Sequence, residues 1–217
     1  EAVVGYNFDN GFGLSAGRSL SYLGWEAYDP INKYQISNAY DQNGPQDIYD
    51  GYRDGGMVSY SNDQFAASVW LGFDQDGSDD SANWEYMIAF TGIENFVAKA
   101  ILANDPDPDG HDIHTIWASY TFGNLLLAAE VAEKDFEAAS DDDIEGWLVM
   151  GAYSVTDKLG LTVRYSEEEI GTKDYEKITF SPNYAITDEL SGRIEYSSED
   201  LGGNDSDLFA AELIYRF

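Results

Sequence analysis

Cysteine is absent from the 217-residue chain, and basic residues are scarce. Without cysteine the chain has no disulfides, no thiolate metal ligands and no thiol nucleophile. Eleven lysines and arginines against 41 acidic residues give a formal net charge of −30, so the chain should repel nucleic-acid phosphates. No run of about 18 apolar residues is present, which excludes a transmembrane helix but not membrane-spanning strands.

The final stretch, Asp207–Phe217, alternates apolar with other side chains. Because alternate residues of a strand point to opposite sides, Phe209, Leu213 and Tyr215 share one face. About 9–11 residues of tilted strand cross a bilayer, and this stretch is long enough. An apolar outer face that ends on an aromatic residue resembles the closing strand of Gram-negative outer-membrane β-barrels. An edge strand of a soluble β-sandwich is the alternative.

The same alternation recurs along the chain and predicts about thirteen strands. Their connections alternate strictly in length. The short turns are Asp9–Gly11, Asn62–Gln64, Gly92–Asn95, Gly123–Asn124, Thr156–Leu159 and Thr187–Glu189, and the long polar connections are Ser19–Asp54, Asp74–Ala82, Asn104–Asp112, Asp135–Glu145, Glu168–Asp174 and Glu199–Ser206. Outer-membrane barrels sort their loops in this way. We therefore predict an all-β fold, an antiparallel transmembrane β-barrel, as a single domain over residues 1–217.

The predicted strand count is odd, whereas bacterial single-chain barrels close with an even number of strands. We therefore expect at least one further strand to precede Glu1, so that the visible strands form the carboxy-terminal part of a larger barrel. Within the strands, Pro182 interrupts an otherwise regular alternation. Proline donates no backbone hydrogen bond, which predicts an edge or a bulge at this position.

Acidic residues concentrate in the predicted long connections. Taken generously as 19–54, 74–82, 104–112, 135–145, 167–176 and 199–207, these hold 29 of the 41 acids but only three bases. Such a field favours cations, either as permeating ions or as divalent bridges, although solvation alone also explains it. One connection has the Asp-x-Asp-x-Asp-Gly spacing that can wrap oxygens around Ca²⁺. Its ligands would be Asp105, Asp107, Asp109 and Asp112. The acid that completes an EF-hand loop is missing.

Charged residues within the strands sort by face. If Val163 and Ile178 face lipid, Arg164 and Lys177 face the interior, because a charge on the lipid face costs roughly 2–4 kcal/mol at the bilayer midplane. The same parity predicts a pore lining with the bases Arg164, Lys177, Arg193 and Arg216 and the acids Glu195 and Glu212. The Ser19–Asp54 connection is expected to fold inward as a constriction loop. Its acids are Glu26, Asp29, Asp47, Asp50 and Asp54, which would face the bases Arg164, Lys177 and Arg193 across the lumen and create a transverse field. Its tyrosines Tyr28, Tyr34, Tyr40, Tyr49 and Tyr52 can pack while their hydroxyls stay hydrated.

The passage Gly13–Pro30, with Ala-Gly-Arg at 16–18 and Gly-Trp-Glu at 24–26, resembles the strand-to-loop passage of the β-barrel porin family of OmpL-like outer-membrane proteins. The resemblance implies a barrel in the outer membrane of a Gram-negative bacterium, through which small hydrophilic solutes diffuse. It supplies no catalytic residues. Members of that family are longer on the amino-terminal side.

Three functions compete. The main prediction is a passive diffusion channel, which is not an enzyme and requires no cofactor. Its partners would be outer-membrane lipid and small hydrophilic solutes, and assembly into a homo-oligomer is left open. A surface hydrolase would need a serine–histidine pair, and the chain's two histidines are His111 and His114. A structural or adhesive barrel that binds partners through its acidic loops is the remaining alternative, and electrical conductance separates it from a channel.

Overall fold

The computed structural model describes residues 2–27, 29–40, 48–49, 51–72, 82–105, 110–137 and 142–216. Within these ranges thirteen strands form one antiparallel sheet in sequence order. They are β1 Ala2–Asn7, β2 Phe12–Leu20, β3 Tyr52–Ser61, β4 Phe65–Gly72, β5 Trp84–Phe90, β6 Phe96–Asp105, β7 His111–Phe122, β8 Leu125–Phe136, β9 Ile144–Ser154, β10 Leu159–Ile170, β11 Lys173–Ala185, β12 Leu190–Leu201 and β13 Asp205–Tyr215. The described part contains no helix of the length and hydropathy that spanning a membrane requires. The predicted all-β antiparallel fold is confirmed.

Several strands extend further toward the long connections than the apolar alternation indicated. β3 begins at Tyr52, inside the predicted Ser19–Asp54 connection, and its Asp54 pairs with Arg18 on β2. Backbone pairing continues there because it satisfies N–H and C=O groups whatever the side chains are. The connection between β2 and β3 therefore comprises residues 21–51 rather than 19–54.

The outer face of the sheet is apolar. On β10 the side chain of Val163 is 49% exposed, whereas its neighbours Thr162 and Arg164 are fully buried on the opposite face. The exposed face continues over β11–β13 with Ile178, Phe180, Ile194, Tyr196, Leu213 and Tyr215. A continuous exposed apolar surface of this kind is typical of contact with lipid rather than water. It is the lipid face that the parity of these strands predicted.

The inner face is divided into an apolar and a polar half. Strands β6–β9 contribute mostly aliphatic and aromatic side chains, namely Ile101, Ala103, Ile113, Trp117, Ala128, Ala132, Ile144, Leu148, Met150 and Ala152. Strands β10–β12 instead present buried hydroxyl and charged side chains, namely Thr162, Arg164, Ser166, Glu168, Lys177, Thr179, Ser181, Arg193, Glu195 and Ser197. An element that crosses the interior therefore meets a hydrophobic wall on one side and a hydrogen-bonding wall on the other.

Two strands pair on one side only. Of the described strands, β1 pairs with β2 and β13 pairs with β12, and no ladder joins β1 to β13. The expectation that further strands complete an even-stranded barrel stays a prediction.

Pro182 lies neither at an edge nor at a bulge, so that prediction is wrong. It sits within β11, which pairs with β10 and β12, and the register with β12 is the same on both sides of it. Proline removes one backbone donor from this ladder. The hydroxyl of the preceding Ser181 donates to the carbonyl oxygen of Ile194 at 3.0 Å and so supplies a replacement donor. A side chain thus preserves a regular strand around the proline.

Candidate functional site

The connection between β2 and β3 folds against the inner face of the sheet. We call its described residues, 21–27, 29–40 and 48–49, the inner segment. At one end the Ser21 hydroxyl donates to a carboxylate oxygen of Glu85 on β5 at 2.6 Å. Further along, Arg216, which follows β13, donates to the carbonyl oxygen of Ile31 at 3.2 Å. A segment that reaches both β5 and the end of β13 crosses the space that the curved sheet encloses.

Hydrophobic packing holds the inner segment to β6–β9. Leu23, Tyr40 and Ile48 are fully buried in the same cluster as the inner faces of these strands. The ring of Trp25 meets Trp117 of β7 edge-on, with centroids 5.2 Å apart. Burying side chains of this size stabilises the packed state by about 1.5–3 kcal/mol each. This half of the contact is therefore comparable to a small protein core.

A glycine on β9 makes room for the segment. The backbone of Gly146 lies under the ring of Tyr40, and a Cβ atom built on it would stand 2.6 Å from a ring carbon. Any larger residue at position 146 would displace that ring. The neighbouring inward positions, Ile144 and Leu148, carry bulky side chains that pack beside it.

An ion pair fixes the other side of the segment to β10. One guanidinium nitrogen of Arg164 lies 2.8 and 2.9 Å from the two carboxylate oxygens of Glu26. The second terminal nitrogen donates to the carbonyl oxygen of Asn38 and to the hydroxyl of Thr179, both at 3.0 Å. The side chains of Arg164 and Glu26 are 0% and 2% exposed. Because the charges are buried, each depends on the other for compensation.

Three further side chains, on β11 and β12, complete this polar anchor. Glu195 accepts hydrogen bonds from the backbone N–H groups of Ile36 and Ser37 at 2.5 and 3.1 Å. Lys177 donates to the carbonyl oxygen of Asn38 at 3.2 Å and pairs with Glu199 at 3.0 Å. Arg193 donates to the carbonyl oxygen of Pro30 at 2.7 Å. These bonds satisfy backbone groups of a segment that forms only one short 3-10 turn, Pro30–Asn32.

Two inward acids that hold the segment were missed by sequence reasoning. Glu130 on β8 accepts from the backbone N–H of Trp25 and, at 2.5 Å, from the hydroxyl of Tyr49. Glu85 on β5 accepts from Ser21 and from the backbone N–H of Tyr22. The signal was available, because both acids occupy the strand face opposite to exposed Val131 and Tyr86.

Three of the predicted pore-lining bases, Arg164, Lys177 and Arg193, lie buried beneath the segment rather than across an open lumen, whereas Arg216 follows β13 and is exposed. Arg164 is fully buried, Lys177 is 2% exposed, and both donate to the segment. The predicted transverse field, which needs acids and bases that stand apart, is therefore wrong for Arg164 and Glu26, because these two side chains are in direct contact. Glu212 is the more accessible of the predicted inward acids, with 25% of its side chain exposed beside Arg193.

The predicted loop acids are dispersed. Asp29 accepts from the hydroxyl of Tyr52. Asp54 belongs to β3, is exposed, and pairs with Arg18 at 3.3 Å on the outer surface, so its assignment to the constriction loop is wrong. Asp47 and Asp50 lie outside the described residues.

The predicted Ca²⁺ ligands do not converge where the structure describes them. Asp105 ends β6 opposite His111, whereas Asp112 pairs with Asn104 and accepts from its side-chain amide at 2.7 Å. Since Asp105 and Asn104 are consecutive in a strand, the two carboxylates point to opposite faces of the sheet. Asp107 and Asp109 lie outside the described residues. The pairing of β6 with β7 extends into the motif and separates its first and last acids.

The tyrosines of the segment differ in their surroundings. Tyr34 is 36% exposed and points into the remaining space. Tyr40 is fully buried and Tyr49 bonds to Glu130, so the expectation of hydrated hydroxyls is wrong for these two. Burial, reinforced by the charge of Glu130, raises the pKa of both Tyr40 and Tyr49 well above the ordinary value. Tyr28 lies outside the described residues.

Open space remains between the segment and the short turns. One cavity of about 440 Å³ is lined by Tyr34, Arg193 and Arg216 together with the turns that follow β9 and β11. A second cavity of about 300 Å³ is lined by Tyr34, Leu126 and Thr162 among others. Tyr34 borders both cavities. The segment therefore narrows the interior on one side and leaves a polar vestibule on the other.

Solved structures of outer-membrane proteins share this architecture. OmpF of Salmonella typhi, in a complex with daunomycin, superposes with a TM-score of 0.72 at 19% identity, covering 100% of this chain and 77% of that one. OmpT of Vibrio cholerae gives 0.70 at 16% identity, covering 97% and 77%. An anion-selective porin from Comamonas acidovorans gives 0.67 at 15% identity, covering 94% and 71%. At these identities the likeness shows the fold alone, which is that of an outer-membrane β-barrel.

No protein-family model matches the chain, and no curated protein matches its sequence. Membership of the OmpL-like porin family therefore stays a prediction.

Proposed function

We propose that this protein is an outer-membrane channel for the passive diffusion of small hydrophilic solutes, located in the outer membrane of a Gram-negative bacterium. The inner segment acts as its constriction. The observation that carries the proposal is the segment itself, because it crosses the interior from Glu85 on β5 to Arg193 on β12 and is bonded at both ends. A barrel with an apolar outside and a fixed internal narrowing has the parts that size selection requires.

The constriction selects mainly by size and hydration. The exposed positions of the segment, Pro30, Asn32 and Tyr34, carry no charge. The bases beneath it are paired with carboxylates, Arg164 with Glu26, Lys177 with Glu199 and Arg193 with Glu212, so the positive field that reaches a solute is small. The excess of acids in the whole chain, with its net charge of −30, gives a mild preference for cations.

The proposal is tested by current recordings in planar bilayers. The wild-type protein, refolded in detergent, should produce discrete conductance steps. Deletion of residues 28–49 should raise the conductance of each step, because it removes most of the constriction. A variant of unchanged length, with residues 28–49 replaced by a glycine–serine repeat, should give noisier currents because the chain stays in the lumen without its anchors.

One alternative is an outcome of the same recordings. A folded wild-type barrel that gives no conductance would contradict the channel and favour the structural or adhesive barrel, since a plugged anchor conducts nothing. The hydrolase alternative gains no support from the geometry. The letters Gly-x-Ser-x-Gly occur at 13–17, but Ser15 lies within extended β2, whereas His111 and His114 lie on β7.

A further inference from the structure

The outer face of β7–β11 carries a row of carboxylates beside a histidine. The strand registers place His114 opposite Glu133, Glu133 opposite Glu145, and Glu145 opposite Glu169. All four side chains are exposed, whereas Ile113 and Thr115 on the same strand as His114 are buried on the inner face. Like charges directly opposite each other in a sheet are destabilising. A bound cation would reduce the repulsion within this row.

The row lies at the aqueous edge of the barrel. Further from the edge, Trp147 lies two residues after Glu145 on β9 and Tyr165 lies four residues before Glu169 on β10, with ring centroids 5.4 Å apart. Beyond them the exposed side chains are apolar, as at Val149 and Val163. Aromatic residues mark the interface between hydrocarbon and water in membrane proteins. His114 and its neighbours consequently face water and headgroups rather than acyl chains.

The side chains of His114, Glu133 and Asp135 converge. Each offers one ligand atom, and these atoms lie within 4.8 Å of one another. Asp135 is the diagonal neighbour of His114, since it follows Glu133 by two residues on the same face of β8. Zinc–ligand distances of about 2.0–2.2 Å place ligand atoms roughly 3.3 Å apart, so small rotations of three partly or fully exposed side chains would close the set.

The charged side chains that line the groove around this set are acidic. A groove of about 640 Å³ runs from His114 across the outer face, and its lining includes Glu133, Glu145, Glu167, Glu169, Asp174 and Glu176. None of the described residues that line the groove is basic. Carboxylates at this density raise the local concentration of divalent cations. The groove therefore supplies cations to the histidine and its two acids.

We propose that His114, Glu133 and Asp135 bind a divalent transition-metal ion of the zinc type on the outer rim of the barrel. The imidazole decides the class of metal, because Ca²⁺ and Mg²⁺ take oxygen ligands whereas Zn²⁺, Ni²⁺ and Cu²⁺ accept a histidine nitrogen beside carboxylates. Three protein ligands leave at least one position for water. The site is separate from the inner segment and does not depend on the channel function.

Calorimetric titration of the untagged, refolded protein with ZnCl₂ tests this site. The wild type should show one saturable binding event that His114→Gln weakens by about tenfold or more, since even second-shell changes cost 10–100-fold in metal affinity. Two matched controls should keep the wild-type affinity, namely His111→Gln for the other histidine and Glu94→Gln for an exposed acid outside the groove. Acidification should weaken binding, because only neutral imidazole is a ligand.

A spectroscopic measurement identifies the ligand atoms directly, which a change in affinity on substitution does not. X-ray absorption of the zinc-loaded wild type should show one imidazole nitrogen among oxygen ligands. The proposal is overturned if the wild type binds no zinc, if His114→Gln binds it as tightly as the wild type, or if the ligand shell contains oxygen alone. Should His114→Gln fail to fold, as judged by its heat-modifiable gel mobility, Glu133→Gln with the same absorption measurement replaces it.

Discussion

Arg164 and Glu26 stand 138 residues apart in the sequence and meet at 2.8 Å inside the barrel. Their side chains are almost completely shielded from solvent. Breaking a buried ion pair by removing one partner costs about 3–5 kcal/mol, because the remaining charge loses its compensation. Removing either partner should therefore disturb the inner segment more than removing a neutral hydrogen bond of the anchor.

Arg164→Gln should release the polar side of the segment. We expect a larger mean conductance and frequent transitions between levels in bilayer recordings, because Glu26 is left buried without a partner. The double variant Glu26→Gln/Arg164→Gln should recover part of the wild-type behaviour, since it removes both charges. Arg18→Gln, which breaks the exposed pair with Asp54, is the matched control and should change conductance little. Wild-type currents from Arg164→Gln would show that the ion pair does not hold the constriction.

Gly146→Ala should displace Tyr40 and loosen the apolar side of the segment. The added methyl carbon would lie 2.6 Å from the ring, and overpacking of this kind typically costs 1–3 kcal/mol. Gly151→Ala on the same strand is the control, because its nearest neighbour is 3.6 Å away. Urea unfolding in lipid vesicles should give a lower free energy of unfolding for the first variant only. Equal stabilities would mean that Tyr40 is not packed on β9.

Ser181→Ala should destabilise β11 through the carbonyl group of Ile194. That group accepts the Ser181 hydroxyl where Pro182 has no N–H to offer. The bond is partly buried, so its loss should cost about 1 kcal/mol. Pro182→Ala restores a backbone donor, so the double variant Ser181→Ala/Pro182→Ala should regain much of the loss. The measurement is the free energy of unfolding of Ser181→Ala, Pro182→Ala and the double variant. A double variant as unstable as Ser181→Ala alone would disprove the replacement of one donor by the other.

Alkaline pH should weaken the packing of the inner segment. Burial raises the pKa of Tyr40 above its ordinary value of 10.0, so folding favours the neutral phenol. The corresponding stabilisation is complete below that value and is lost as the pH climbs toward the folded-state pKa, because the unfolded chain releases the proton first. Tyr40→Phe should flatten the decline of stability above pH 10.0. The control Tyr153→Phe, on the outer face, should leave this decline unchanged. Identical profiles of stability against alkaline pH for the wild type and Tyr40→Phe would show that Tyr40 does not cause the decline.

The strands could be predicted because each carries its own signal. Alternation on β10, where Val163 faces out and Arg164 faces in, requires no knowledge of any other strand. Turn residues and loop lengths then order the hairpins. Strand ends such as Tyr52 could not be predicted from the alternation, because backbone pairing continues past the last apolar residue.

The sequence predicted that the inner segment turns inward, but it did not predict the contacts that hold the segment. Its partners, such as Glu195 and Arg164, lie more than a hundred residues away, and the sequence contains no local sign of which backbone groups they satisfy. The acids were expected to stand apart from the bases across water. Burial of Glu26 brings them into contact instead, because an uncompensated charge beneath the segment would be too costly.

Thiol modification of Tyr34→Cys during single-channel recording tests the central claim, that the inner segment lines the permeation path. The natural chain has no cysteine, so the introduced thiol is the only target. A charged methanethiosulfonate should lower the current of Tyr34→Cys stepwise and leave the wild type unchanged. Ile88→Cys, on the outer face where the native side chain is 56% exposed, should also be unaffected. An unchanged current in Tyr34→Cys, with attachment of the reagent verified by mass spectrometry, would contradict the account.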